Sequence, residues 1–219
     1  MSETDHVPNG NEITPMLTEV IPADHNEALQ RALDTLRNGG LVAFPTDTVY
    51  GLGALAFDGR AVESIYLAKD RPVEKAIPVL IWDVSELEKI SADVPDLARR
   101  LASRFWPGPL TVLVPKKPTL PESVSATSTV AVRVPDHPVA RALLRVAGPM
   151  AVTSANISGQ ASPSTAEEVL AQLNGRIDLI IDGDRTPGGV PSTLVDCSSD
   201  EIKILRAGPI SLAELLSAL

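Results

Sequence analysis

The apolar positions of the chain fall into two rhythms. Ala28, Leu29, Ala32, Leu33 and Leu36 recur at helical spacing, Asp24 and Glu27 stand ahead of them as a capping box, and Gly39-Gly40 closes the run. That pattern predicts a helix. Asp58 is placed to cap a second one over residues 60–69, and capping boxes at Asp83/Glu86, Ser164/Glu167 and Ser211/Glu214 each open a further helical segment. Between these lie short, continuously apolar runs that predict buried strands: "LVAF" (41–44), "AIPVLIW" (76–82), "LTVLV" (110–114), "VAVRV" (130–134), "MAVT" (150–153), "LII" (179–181), "TLVD" (193–196) and "IKIL" (202–205). Pro78 argues that its strand is an edge or carries a bulge. Helices and strands alternate, yet some strands follow one another directly, which predicts one α/β domain with a sheet of mixed direction and no repeats. Residues 1–22, with an Asn-Gly pair, prolines and no periodicity, read as a flexible acidic tail ahead of a domain spanning 23–219.

Composition narrows the class. Of 219 residues, 44% are hydrophobic but only 3% aromatic, so the core is built from Val, Leu, Ile and Ala, which disfavours a base-stacking platform for single-stranded nucleic acid. The net charge is −9, with six acids and no Lys or Arg in the first 30 residues, and the remaining 189 are nearly balanced at 19 basic to 22 acidic. Those numbers argue against a general phosphate-gripping surface but leave room for a local cationic cleft. The single cysteine, Cys197, rules out an internal disulfide and reads as a small buried residue at a strand end. His6, His25 and His137 offer no metal-ligand spacing. No apolar run approaches the ~20 residues of a membrane span and the N-terminus is acidic, so neither a membrane segment nor a signal peptide is expected and the cytoplasm is the expected compartment.

Candidate chemistry sits in loops rich in Gly and Pro at 44–53, 106–109, 155–163 and 186–191, where open α/β sheets place ligands. Gly51, Gly53 and Ala56 satisfy a loose dinucleotide-binding pattern with Asp70 following, but "PTDTVY" intervenes between strand and glycines, and an extended apolar segment follows them where a helix is required. A Walker A loop is absent, since the chain contains no Gly-Lys dipeptide. Lys69, Arg71 and Lys75 cluster where Pro72 stops a helix, and several converging cations are what a triphosphate requires in the absence of a P-loop. "TSANISG" (153–159) would present Ser154 and Asn156 at a strand end, with the amides of residues 164–166 facing an anion. Ser192 precedes a strand and Arg206 ends one.

In this order the blocks "FPTDTVYGLG", "AKDRPVEK", "RFWPGPLTVLV", "VAVRVPDHP", "TSANISG", "PSTLVD" and "ILRAG" resemble the threonylcarbamoyl-AMP synthase family, also called YrdC-like, from about residue 28 to 210. The resemblance implies an α/β fold on a twisted mixed β-sheet with flanking helices and a deep cationic cavity, in the family's short, single-domain form. It implies synthesis of threonylcarbamoyl-adenylate and pyrophosphate from L-threonine, bicarbonate and ATP, with Mg2+ carried on the ATP phosphates and no metal ligand from protein side chains. The product would pass to a downstream threonylcarbamoyl transferase complex acting on position 37 of tRNA. Carried over by position, Thr48, Leu80, Arg133, Ser154 and Ser192 would hold threonine. Arg71, Lys75, Thr129, Asn156, Ser164 and Arg206 would contact ATP, and Lys69 with Arg71 would form the family's catalytic Lys-x-Arg pair. Two departures, Ala76 after Lys75 and Ala207 after Arg206, remove a proline rather than a functional group. Two alternatives stand beside this reading: an enzyme making a carbamoyl-adenylate from carbamoyl phosphate, and a non-catalytic RNA-binding module. The acidic balance disfavours the second, although a cationic cavity is compatible with weak RNA contact.

Overall fold

The computed structural model describes residues 17–187, 190–199 and 201–219. Residues 1–16 of the expected tail and Gly188-Gly189 of the last glycine-rich loop lie outside them. Among the described residues the chain forms ten strands and seven α-helices: β1 (Glu19–Pro22), α1 (Ala28–Arg37), β2 (Val42–Phe44), β3 (Gly51–Leu55), α2 (Gly59–Lys69), β4 (Val79–Leu80), α3 (Leu87–Ile90), α4 (Asp96–Phe105), β5 (Leu110–Pro115), β6 (Thr129–Arg133), α5 (Pro138–Ala147), β7 (Met150–Ser154), α6 (Ala166–Leu173), β8 (Leu179–Asp182), β9 (Thr193–Asp196), β10 (Lys203–Arg206) and α7 (Leu212–Leu216).

Several starts obey the local signals. The Asp58 carboxylate accepts from the amides of Arg60 and Ala61 to begin α2, and Ser211 with Glu214 forms a complete capping box on α7. Others correct the sequence reading. Helix α1 begins after Glu27 with no side-chain cap, so Asp24 does not cap it. Helix α6 is capped by Thr165, not Ser164. Helices α4 and α5 follow Pro95 and His137 without a side-chain cap, which is why no capping pattern announces them. The glycine pair at 51 and 53 lies inside strand β3, where a Cβ would come within 2.8 Å of Val152 Cγ1 or Met150 Cε on the neighbouring strand. Residues 19–22, assigned to the loose tail, form β1 and pair with β8.

The strands form one sheet in the order β1-β8-β2-β3-β7-β4-β6-β5-β9-β10. Pairing is parallel for β1/β8, β2/β8, β4/β6 and β5/β9 and antiparallel for the rest. This confirms the mixed sheet and moves one element. Strand β4 is interior, between β7 and β6, despite Pro78. The proline stands just before the strand and offers only its carbonyl, to the Val152 amide, so its missing N–H breaks no ladder bond.

Alternation along the strands sends neighbouring residues to two cores. Val42, Phe44, Leu179, Ile181, Met150 and Val152 pack with Ala28, Ala32 and Leu36 of α1 and with Leu143 and Leu144 of α5. Their neighbours Ala43, Ile180 and Ala151 face the opposite side, where α2, α4 and α6 bring Val62, Ile65, Leu97, Leu101, Val169 and Leu173. Each fully buried Leu or Ile contributes about 1.5–3 kcal/mol relative to exposure, so the second side, which continues under β6, β5 and β9 through Val112, Val130, Val132 and Val195, carries the larger share.

Gly208 marks where β10 returns against the start of β9. A Cβ there would lie 2.3 Å from the Thr193 amide nitrogen and 2.6 Å from the Ser192 carbonyl carbon, both backbone atoms with little room to yield. Gly208→Ala should therefore destabilise the protein by about 1–3 kcal/mol, read as a lowered urea midpoint at unchanged m-value.

Candidate active site

The first core covers only the β1 to β7 half of its sheet face. On the other half no helix is laid down among the described residues, and the alternate residues of five strands line a cavity of about 450 Å³. Thr111 and Leu113 of β5, Thr129, Ala131 and Arg133 of β6, Val152 and Ser154 of β7, Leu80 of β4 and Leu194 of β9 are those residues. The volume falls in the range of small-molecule and cofactor sites. The β2–β3 loop adds Thr46, Thr48 and Val49, the approach to β9 adds Ser192, and Arg71 and Arg206 complete the wall.

The structure thus brings together all five residues expected to hold threonine, Thr48, Leu80, Arg133, Ser154 and Ser192, with three of those expected at ATP, Arg71, Thr129 and Arg206. Its polar side chains are oriented by one another. Arg133 donates from Nε to the Gly108 carbonyl (3.0 Å), from Nη1 to Thr48 Oγ1 (3.0 Å) and from Nη2 to Asp47 Oδ1 (2.6 Å). Thr46 Oγ1 donates to the Val49 carbonyl at 2.7 Å, so the Thr48 hydroxyl, which accepts from Arg133, points its own hydrogen at Thr46 across 3.0 Å. The result is a directed chain from guanidinium to backbone that leaves Thr48 one free lone pair. Arg206 donates from Nε and Nη2 to the Ser192 carbonyl and from Nη2 to Ser192 Oγ, which in turn lies 2.6 Å from Thr111 Oγ1. Arg71 donates to the carbonyls of Lys75 and Ala76, at 3.0 and 2.9 Å.

Burial lowers the pKa of all three guanidinium groups; Asp47 opposes the shift at Arg133, and Arg133 adds to it at Arg206. A guanidinium stays protonated through such shifts, so the cavity presents three partly desolvated cations and a ring of hydroxyls. Asp47, Thr46, Thr111, Ser125 and Thr127 were not singled out from sequence. The signal for Thr111 was present, as a polar residue alternating with valines and leucines in "LTVLV", and the same alternation places Thr127 and Thr129 on one side of "TSTV".

Four expected residues lie elsewhere. Lys69 is only 1% exposed and does not line the cavity. Helix α2 ends on it, Asp70 turns left-handed at φ 51°, and the Lys69 ammonium runs beneath the β7 end to donate to the carbonyls of Ser154 and Asn156. It fixes that loop rather than projecting into the cavity from a turn, so among the Lys69, Arg71 and Lys75 group only Arg71 reaches the wall. Asn156 is 5% exposed and donates its amide to the carbonyls of Ile157 and Gln160, leaving buried Oδ1 without a partner. Lys75 is exposed on the turn between Arg71 and Ala76. At the start of α6, the Ser164 amide is taken by Glu168 Oε2 at 2.7 Å, and Ser164 Oγ accepts from Arg185. The anion at this helix N-terminus is therefore the protein's own carboxylate, whose pKa the Ser164 amide lowers.

Comparison with known proteins places the chain among relatives of the same fold. The Sua5/YciO/YrdC family model, described as telomere recombination, matches residues 34–208. A threonylcarbamoyl-AMP synthase of Bacillus subtilis is 46% identical over 190 residues, covering 85% of this chain but 55% of the relative, so the chain spans about half that protein's length. The crystal structure of Pyrococcus abyssi Sua5 complexed with L-threonine superimposes with a TM-score of 0.87 at 40% identity, covering 93% of this chain and 61% of that one. E. coli YciO superimposes with a TM-score of 0.80 at 29% identity over 91% of this chain and 98% of its own.

The buried ammonium gives the site a pH signature. Desolvation first, and then Arg71, lowers the Lys69 pKa from 10.5 to about 7. Above about pH 7 the unfolded chain retains a proton that the folded one releases, so this group makes the protein more stable as pH rises toward the ordinary lysine value. Melting temperature should climb between about pH 7 and 9 in the wild type, and that increment should vanish in Lys69→Met.

Proposed function

This chain belongs to the Sua5/YciO/YrdC family, and we propose that it makes threonylcarbamoyl-adenylate and pyrophosphate from L-threonine, bicarbonate and ATP. The observation that carries the reading is a single cavity lined by Arg133, Thr48 and Ser192 together with two further guanidinium groups, Arg71 and Arg206. Threonine would place its carboxylate on the N–H groups that Arg133 has left, with its hydroxyl among Thr48, Ser154 and Ser192. ATP would lie along Arg71, Thr129 and Arg206 and extend toward Lys75, Asn156 and Ser164. The L-threonine held by the Pyrococcus relative favours threonine over carbamoyl phosphate as the starting material.

The chemistry follows from charge. Bicarbonate takes up a proton and loses water to give CO2; the threonine ammonium loses a proton, and its nitrogen adds to CO2 and releases a second proton to leave a carbamate, whose oxygen attacks the α-phosphorus of ATP as pyrophosphate leaves. Two anions must approach each other. Arg71 and Arg206 offset that repulsion and stabilise the charge on the departing pyrophosphate, while the fixed hydroxyls hold the reacting groups in line. The cavity wall supplies guanidinium and hydroxyl groups and no carboxylate, a donor set suited to phosphate oxygens rather than to a bare divalent cation. Mg2+ would therefore be held by the triphosphate, where it neutralises part of its charge. We place the reaction in the cytoplasm, with the adenylate consumed by a transferase complex acting on tRNA position 37; no described helix is long and apolar enough to cross a membrane.

Labelled bicarbonate with ATP and threonine should yield a labelled adenylate and one pyrophosphate per adenylate. Serine, lacking one methyl, should support kcat/KM within about 10–200-fold of threonine, whereas valine, lacking the hydroxyl, should fall by about 10⁴-fold. Equal use of valine and threonine would refute the assignment. Arg71→Ala should reduce turnover by about 10²–10³-fold with its melting temperature within a few degrees of wild type.

A further inference from the structure

Three guanidinium groups share one cavity, yet among the described residues only Arg133 is paired with a carboxylate. Arg133 and Asp47 form an ion pair of 2.6 Å in which the side chains are 7% and 13% exposed, while Arg71 and Arg206 bond only to backbone carbonyls and the Ser192 hydroxyl. Asp47 is itself held, because Oδ1 also accepts from the Asp136 amide at 3.0 Å. It stands outside the main cavity and faces a second one of about 440 Å³, lined by Asp136 and by Pro107, Pro109, Pro187 and Pro209, with Thr48 shared between the two. His137 lies beside it, and burial holds that imidazole below its ordinary pKa, so no second cation there competes for Asp47 at neutral pH. The cavity's charge is thus uneven: Arg133 is neutralised by Asp47, whereas Arg71, and Arg206 in the neighbourhood of Arg133, have no carboxylate partner among the described residues.

We propose that Asp47 is a specificity-determining positioning residue that sorts two anionic substrates within one cavity, keeping the polyphosphate off Arg133 so that this arginine remains open to a carboxylate. The inference rests on the reading of the site as one for threonine and ATP. A triphosphate carries about four negative charges and follows the local potential, so it favours the two unpaired arginines. A carboxylate carries one and is recognised chiefly by the directed N–H groups that Arg133 retains after its bonds to Gly108, Thr48 and Asp47. Without the Asp47 charge, all three arginines would attract phosphate alike and the smaller anion would lose its place.

The test separates charge from geometry. Asp47→Asn retains an oxygen that accepts from Arg133 and from the Asp136 amide but removes the charge. Threonine affinity is measured by calorimetry with and without saturating pyrophosphate, on folded protein verified by its melting curve. Wild type should change less than about threefold, and Asp47→Asn should bind threonine about tenfold more weakly when pyrophosphate is present, with the loss competitive in pyrophosphate. Should Asp47→Asn not fold, Asp47→Ser carries the same expectation. Independence from pyrophosphate in the charge-removed variant, or competition already in the wild type, overturns the proposal. Failure of wild type to bind threonine at all would instead refute the functional reading beneath it.

Discussion

One face of the sheet is covered from β8 to β9 and the other only along its β1 to β7 half, and the site exists because of that mismatch. Helices α1 and α5 close the β1 to β7 half with aliphatic side chains. Beyond it, the same period-two alternation that feeds valines into the opposite core delivers Thr111, Thr129, Ala131 and Arg133 to an uncovered surface. Side chains on a strand are held to one face, so the backbone positions of the cavity wall are fixed by the core behind it. That rigidity matters for a proposed reaction that relies on placement and charge rather than on a proton-transferring side chain.

Legibility in the sequence followed the range of the physics. Strands β5, β6, β7, β9 and β10 were visible within a residue or so because each is a short apolar run, and α2 and α7 because their caps are local side-chain bonds. Helices α4 and α5 were silent, since they begin without a side-chain cap and owe their existence to buried Leu97, Leu101, Leu143 and Leu144. Pro78 misled for a similar reason: whether its missing N–H matters depends on the register of a neighbour distant in sequence. Of the site, the seven-block resemblance supplied eight residues that do line the cavity. It could not reveal that Lys69 turns inward, because the αL turn at Asp70 and the depth of the Ser154 loop above it are properties of the folded chain. Nor could it single out Asp47, whose partner Arg133 is 86 residues away.

The polar groups of the cavity are satisfied in pairs and chains, and this is how such a site survives burial. An unpaired buried donor forfeits its hydration without return, yet each arginine here reaches at least two oxygens of the protein. The hydroxyls do likewise, through Thr46 with Thr48 and Ser192 with Thr111. Asn156 Oδ1 and His137 Nδ1 are the buried side-chain atoms left without a partner among the described residues, and both lie in segments flanking the cavity.

Arg71 shows what such self-bonding means for a ligand. By clasping the carbonyls of Lys75 and Ala76 it closes the six-residue loop 71–76 on itself, with two of its nitrogens spoken for. The side chain of an arginine carries about 2 kcal/mol of rotamer entropy when free, and here much of it is surrendered when the protein folds. An arriving phosphate meets a preorganised fork whose remaining N–H groups already have a direction. A lysine at the same position would keep the charge but not the clasp, and would have to be frozen anew by every substrate molecule.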